Sequence, residues 1–251
     1  NLQRGETMIK ADAQDQVTEQ ASLEEVSGIC RNRAANYAFL SQLYKVEVSK
    51  ELFDQLVTMR VPADMGNAKS DSGYKLLASY LSAASENAVT ELAVDYAHVF
   101  LGHGVDGYSA AYPDESVYTS EKRLLMQAAR DEVLAIYRSQ HLDKDDDWKE
   151  SEDHLAVELE FMQVMAAKTA DALSEGDEDE AYALLEVQRE FMQDHLAIWV
   201  PALAIDMGRF ARTDFYRGLA LITEGFLETD MQFMSELLGT EEASNGRTTK
   251  R

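Results

Sequence analysis

Two ionisable side chains, His154 and Glu158, are spaced one helical turn apart at the start of a long amphipathic segment. At 100° per residue, both point into the arc of apolar residues that should face the core. Burying an ionisable group there is costly unless the group has a partner. Two interpretations stay open: the imidazole and the carboxylate satisfy each other at the core boundary, or they form a polar anchor at the mouth of a binding groove.

Motifs for catalysis are incomplete. Carboxylate-bridged di-metal bundles use paired Glu-x-x-His motifs, and none of the histidines has a glutamate three residues before it. The nearest pattern is a single aspartate, Asp95, three residues before His98. The chain also lacks a P-loop, a Cys-x-x-Cys pair and a G-x-S-x-G elbow. We therefore predict no catalytic residues, no metal and no cofactor. A metal- or nucleotide-dependent helical enzyme using His98, His154 and nearby carboxylates is the alternative.

Two further spacings resemble ligand-binding loops without meeting their requirements. Three glycines in residues 102–107 match G-x-G-x-x-G, but a dinucleotide-binding fingerprint needs a preceding strand, and a helix is predicted there instead. Three aspartates in residues 143–147 have the alternate spacing of an EF-hand loop. Trp148 then stands where glycine is required, and His154 where the bidentate glutamate belongs. We interpret residues 140–152 as a solvated acidic hinge between two helical halves.

The charge balance limits the class of partner. The 251 residues include 46 acidic and 23 basic side chains, for a formal net charge of −23. Such a surface repels nucleic acid and anionic membranes and attracts cationic ligands. A single cysteine, Cys30, indicates a reducing compartment, and the longest uncharged apolar run, residues 196–205, is too short to span a bilayer. We expect a cytoplasmic protein that binds no nucleic acid and does not insert stably into membranes.

The residue pattern predicts an all-α fold of about eight to ten helices. Strand-like alternation is nearly absent, and no proline interrupts residues 114–200. Ser22 and Glu25 form a capping box that opens the first helix, and the polar segments 1–20 and 240–251 are predicted to be disordered tails. The approximate ranges of the predicted helices are 22–44, 49–59, 74–84, 86–101, 117–139, 153–173, 178–200 and 213–239, and the segments 65–73 and 102–116 are predicted loops.

Aromatic side chains gather around the predicted loop 102–116. Tyr108, Tyr112 and Tyr118 lie in it or next to it. Tyr96 and Phe100 lie on the helix before it. A groove with aromatic walls and acidic surroundings suits a segment that combines arginines with apolar residues. Tyrosines at helix ends also pack simply against the core, and this interpretation stays open. The residues alone indicate an acidic helical binding module.

Four sequence blocks occur in a recognisable order: DYAHVFLG at 95–102, YPDESVY at 112–118, ESEDH at 150–154, and QDHLAIWVP at 193–201 with DFYRGL at 214–219. Together they resemble the motifs of the TorD/DmsD/NarJ-type chaperones of molybdenum-containing redox enzymes. Ser151 replaces the proline of the family's hinge motif, and Glu115 stands where relatives can carry glycine. Both departures leave the Asp153–His154 pair unchanged.

The resemblance implies a single helical domain, residues 21–239, with lobes at 21–139 and 153–239 joined by the hinge. It implies a chaperone that binds the twin-arginine signal peptide of a molybdopterin-containing catalytic subunit and holds the apo subunit until its cofactor is inserted. The chain would be a monomer or a hinge-swapped dimer, because helical halves joined by a hinge can exchange between chains. A general helical adaptor without preference for this signal is a further alternative.

The residues that the resemblance assigns to peptide binding combine carboxylate and aromatic side chains. Carboxylates would attract the arginines of the peptide, and aromatic rings would receive its hydrophobic stretch. Asp153 and His154 would be exposed at the hinge, and Glu158 would support the imidazole from one turn deeper. The assigned peptide-binding residues are Tyr96, Phe100, Tyr112, Pro113, Ser116, Tyr118, Glu150, Asp153 and His154.

Overall fold

The computed structural model describes residues 2–59, 64–102, 109–144 and 147–248, with side chains over 23–59, 64–102, 109–144 and 147–239. Within these ranges the chain is helical, and the only β pairing is one isolated bridge between Asp114 and His154. The predicted all-α fold is confirmed. None of the described helices is both long and apolar enough to cross a membrane.

The described helices are numbered in chain order. They are α1 (Leu2–Lys45), α2 (Lys50–Thr58), α3 (Ala68–Ser82), α4 (Ala88–Tyr96), α5 (Glu115–Thr119), α6 (Ala128–Ser139), α7 (Leu155–Glu175), α8 (Glu178–Phe191), α9 (Ala197–Phe210) and α10 (Asp214–Thr248). Residues Ala97–Leu101 continue α4 as a π-helix, and a π-helical segment, Met192–Leu196, joins α8 to α9. The bounds of α1 and α10 include parts of the predicted tails, for which no side-chain positions are described, so the disorder of 1–20 and 240–251 stays a prediction.

Helices from both sides of the hinge share one core. α1 packs along α7, and α3 packs along α10. The buried Arg33 of α1 pairs with Asp230 of α10, with 2.9 Å between Nη2 and Oδ2, and the Tyr37 hydroxyl donates to the same carboxylate at 2.6 Å. Hydrogen-bonded pairing of this kind is what a buried charge requires. These contacts join residues assigned to different lobes, and the lobe boundary itself stays a prediction.

A break between α5 and α6 corrects the predicted helix 117–139. Within the break, Arg123 and Met126 adopt positive φ angles of 51° and 55°. The Ser120 hydroxyl accepts a bond from the Leu124 amide at 3.1 Å. Such side-chain bonds offer the backbone an alternative to the helix. Leu124, which lies in this break, is 49% exposed.

The predicted loop 65–73 is also wrong, because α3 begins at Ala68. Asn67 caps this helix: its Oδ1 accepts bonds from the Lys69 and Ser70 amides at 2.9 and 3.2 Å. Asparagine is among the preferred N-cap residues. The glycine and polar residues that suggested a loop are the cap and the first turns of a helix.

The close approach of α3 to α10 explains Gly73 and gives a test of the packing. A Cβ atom at Gly73 would lie 2.6 Å from the Gly218 carbonyl oxygen, whereas one at Gly208 in α9 would meet nothing within 4 Å. We expect Gly73→Ala to lower the free energy of unfolding by about 1–3 kcal/mol through overpacking. Gly208→Ala should raise it by up to about 1 kcal/mol, because alanine is the better helix former. Urea denaturation measures both, and equal stabilities would contradict the close contact.

Candidate functional site

Residues of the second and third sequence blocks meet where α5 and α7 begin. The Glu115 amide donates to the Asp153 carbonyl at 2.9 Å, and the Leu155 amide donates to the Pro113 carbonyl at 2.8 Å. These two bonds form the isolated antiparallel bridge. We call the region made by residues 111–118 and 150–155 the α5–α7 junction.

Asp153 is the centre of the junction, and its side chain is fully buried. Its Oδ2 accepts a bond from the Ser116 amide at 2.9 Å and another from the Ser116 hydroxyl, and its Oδ1 accepts one from the Ser151 hydroxyl. Three donors therefore satisfy this carboxylate inside the protein. The expectation that Asp153 is exposed for recognition is wrong. Ser151, which replaces the proline of the hinge motif, supplies one of the donors.

His154 is also buried, with 4% of its surface exposed, so its expected exposure is wrong as well. It is the N-cap of α7, and its Nδ1 accepts a bond from the Ala156 amide at 3.1 Å. The ring packs edge-to-face with Trp148, with 4.9 Å between centroids. Burial, with a smaller contribution from the charge of Lys144, lowers the pKa of His154 to about 3. The imidazole is neutral at pH 7 and has a capping role.

The predicted pair of His154 and Glu158 does not form. Glu158 is fully buried, and its Oε2 accepts a bond from Trp199 Nε1 at 3.1 Å. In the ionised form, its Oε1 would have no hydrogen-bond partner among the described residues. Burial raises the pKa of Glu158 well above its ordinary value, and the neighbouring Glu115 carboxyl group raises it further. The protonated form is therefore favoured, and it has a proton to donate to Glu115.

Glu115 links the junction to the second half of the chain. Its Oε2 lies 3.0 Å from Nδ1 of His195, and both side chains are buried. His195 belongs to the π-helical segment before α9, and π-bulges occur frequently at functional sites. Sequence analysis assigned neither residue to the site. The signal available for His195 was an ionisable ring on an apolar stripe, which is the pattern that singled out His154.

Tyr118 and Tyr112 form the half-buried edge of the junction. The Tyr118 ring stacks on Trp199, with 5.6 Å between centroids, and its hydroxyl donates to Asp206 at 3.3 Å. Both tyrosines keep part of their surface accessible, and their role in peptide binding stays a prediction. Tyr108, also predicted to belong to this aromatic group, lies outside the described residues.

Tyr96 and Phe100 lie in the core instead of at the junction surface. Their rings pack edge-to-face at 5.0 Å, and the Tyr96 hydroxyl donates to the Tyr44 carbonyl at 3.0 Å. Phe100 also packs against Tyr216 of α10 at 5.7 Å. Both side chains are buried. In this arrangement neither ring is accessible to a peptide, and their contacts give them a packing role.

Carboxyl groups gather at the accessible end of the junction. Glu150 is exposed and Asp114 is buried. Burial raises the pKa of Asp114 well above its ordinary value, and the charges of Asp153 and Glu150 raise it further. Among the described residues, no group of three or more His, Cys, Asp or Glu is arranged to hold a metal ion. An incoming cation would stabilise ionised Asp114, and cation binding is the chemistry that this end of the junction offers.

The buried, neutral His154 makes stability depend on pH. In the unfolded chain histidine takes up a proton near its ordinary pKa of 6.5, but folded His154 does so only near its pKa of about 3. The unfolded state therefore binds more protons between these values, and the free energy of unfolding falls as the pH decreases through this range.

Two substitutions isolate this effect. His154→Asn keeps a capping side chain and removes the titration, so it should lose less stability than the wild type between about pH 7 and 5. His154→Ala lacks the cap, and its free energy of unfolding at pH 7 should be about 1 kcal/mol lower than that of the wild type. Denaturant titrations at several pH values measure both effects. Parallel pH profiles for the wild type and His154→Asn would show that His154 is not buried in its neutral form.

Comparison with known proteins identifies the family. The chain matches the family described as nitrate reductase delta subunit over residues 67–204, a range that is more than half of the chain and includes the junction. The chaperone protein TorD of Vibrio parahaemolyticus is 27% identical over 218 residues, covering 84% of this chain and 99% of that protein. The TorD of Aliivibrio fischeri is 27% identical over 222 residues, covering 85% and 99%. That of Photobacterium profundum is 31% identical over 156 residues, covering 62% and 68%. The chain therefore belongs to the nitrate reductase delta subunit family, among whose members it is similar to chaperones named TorD.

Proposed function

We propose that this protein is a cytoplasmic chaperone of redox-enzyme maturation that binds the twin-arginine signal peptide of a molybdopterin-containing catalytic subunit. It holds the apo subunit until the cofactor is inserted. The names of the relatives support the chaperone role. The proposed specificity for this peptide rests on the acidic end of the α5–α7 junction. A twin-arginine signal combines adjacent guanidinium groups with a following apolar stretch, and the junction offers a surface for each.

The arginines contact the exposed Glu150, and the buried Asp114 attracts them through its charge without direct contact. Glu150 is exposed there, and ionisation of Asp114 is opposed by two neighbouring carboxylates, so a cation is favoured. A guanidinium group offers planar, bidentate donors to a carboxylate, which an ammonium group does not. The net charge of −23 adds a long-range attraction that weakens with salt. Recognition therefore combines the long-range electrostatic attraction of the whole protein with the local hydrogen-bond acceptors of the junction.

The apolar residues that directly follow the arginines bind beside Tyr118. This ring is half-buried, and the segment between α5 and α6 exposes three apolar side chains at 124–126, each 49–63% accessible. Neighbouring exposed apolar side chains of this size mark interaction surfaces.

The buried residues of the junction position that surface. Asp153 and Ser116 fix the start of α5, and His154 caps α7. Glu158 holds Trp199, on which Tyr118 stacks. In this proposal these side chains act through the elements that they place, without touching the peptide.

The enzyme alternative needs two histidines that are already engaged. His98 Nδ1 lies 2.9 Å from the Phe210 carbonyl oxygen, and His154 Nδ1 accepts the Ala156 amide. No observation favours catalysis by this pair. A general adaptor differs from the proposed chaperone in its peptide preference, which is measurable.

Isothermal titration calorimetry and thermal unfolding, each with a synthetic signal peptide, separate the proposed chaperone from a general adaptor. A twin-arginine peptide should bind and raise the melting temperature of the protein, and a twin-lysine version should do so less. Glu150→Gln should weaken binding of the arginine peptide about two- to fivefold, the range of an exposed ion pair. Glu190→Gln, at an exposed glutamate of α8 outside the junction, should leave it unchanged. Equal affinity for the two peptides would identify a general adaptor.

The affinity for the peptide should rise with pH. In the free protein, burial and two neighbouring charges raise the pKa of Asp114, and a bound guanidinium favours its ionised form. Binding therefore releases a proton, and it strengthens as the pH rises toward the raised pKa. Asp114→Asn, a neutral mimic of the protonated group, should flatten this dependence. A wild-type affinity that is constant between about pH 5 and 8 would rule out a role for Asp114.

A further inference from the structure

An apolar groove lies between α9 and α10. It encloses about 310 Å³, and its walls are formed by Met192, Leu196, Val200, Leu227 and Met231. Ala197 and Pro201 line its mouth and are exposed. Trp199, which stacks on Tyr118, is two residues from Ala197 and so lies on the opposite side of the helix. The groove and the junction therefore use different faces of the same helix.

Two carboxylates at the rim of the groove share one ammonium group. Lys69 Nζ lies 2.6 Å from Glu224 and 2.5 Å from Glu228. One positive charge between two negative charges leaves the rim negative. The groove therefore accepts a neutral or cationic segment and repels an acidic one.

An exposed apolar stripe on α9 connects the junction to the groove. Ile198 and Ile205 are 58% and 73% exposed. At 100° per residue, they lie between Trp199 on the junction side and Ala197 on the groove side. A chain that crosses a helix of about 10–12 Å diameter needs about four extended residues. An apolar stretch that starts beside Tyr118 and continues for more than about four residues would therefore reach the groove.

We infer that the apolar stretch of the twin-arginine peptide, beyond its first residues beside Tyr118, crosses the exposed face of α9 and is bound in the α9–α10 groove. This inference rests on the proposed function. It divides the peptide between two places: the arginines and the first apolar residues stay at the junction, and the later apolar side chains leave water in the groove. The uncharged character of the stretch matches the apolar walls, and the negative rim excludes acidic competitors.

Filling the groove tests the inference. Ala197→Trp introduces a large side chain at the mouth from an exposed position, and Ala183→Trp, at an exposed alanine of α8, is the matched control. Binding of the full signal peptide should be about tenfold weaker for Ala197→Trp, because at least one large apolar side chain is kept out. Ala183→Trp should bind as the wild type does. Ile205→Ala should weaken binding about two- to fivefold at an unchanged melting temperature. If Ala197→Trp does not fold, Ile205→Ala alone tests whether the peptide crosses α9.

A second peptide identifies which part of the signal the groove binds. A peptide that keeps the arginines but has serine and glycine in place of the apolar stretch should bind the wild type and Ala197→Trp equally. One outcome would overturn the groove assignment and leave the proposed function standing. In that outcome, Ala197→Trp and Ile205→Ala bind the full peptide with unchanged affinity, and Glu150→Gln binds it more weakly. Absence of binding to the wild-type protein would overturn both.

Discussion

The burial of one carboxylate, that of Asp153, constrains the position of α5 on α7. A desolvated carboxylate is stable only when protein donors replace the lost water. Here the donors come from Ser116 at the start of α5 and from Ser151 just before α7. Moving α5 away would remove the two hydrogen bonds from Ser116, and a hydrogen bond to a charged group contributes about 1.5–3 kcal/mol. Because backbone bonds pair the same segments beside Asp153, this part of the chain has little freedom to move.

The contacts of α5 spread this constraint to the second half of the molecule. With five residues, α5 is too short to be stable in isolation. Glu115 from its first turn reaches His195, and Tyr118 from its last turn stacks on Trp199. The junction, the π-helical segment and α9 are thereby held in one arrangement. A peptide surface fixed before binding requires less ordering when the peptide arrives, and this favours affinity.

The sequence predicted well what depends on local periodicity and less well what depends on distant partners. The helical class, and the helix predicted over 49–59 and observed as α2, follow from spacing alone. His154 and Glu158 were assigned to each other because their one-turn spacing is visible in the sequence. The donor to Glu158 is instead Trp199, 41 residues away in the chain. Periodicity also does not show whether an aromatic residue of a motif, such as Phe100, packs in the core or binds a ligand. Both roles place an apolar ring on the same helix face.

In our proposal the residues that carry the family resemblance have two roles: some are buried supports, and others, such as Glu150 and Tyr118, meet the peptide. Asp153 and His154 are buried and have internal partners, so direct contact with them cannot distinguish one peptide from another. In our proposal, discrimination comes from the exposed surface that they position, which includes Glu150, the segment 124–126 and the stripe on α9. Substitutions at exposed positions change stability little, whereas removing the Asp153 carboxylate leaves buried donors without an acceptor. The proposed peptide preference can therefore change through substitutions on the surface while the buried support stays the same.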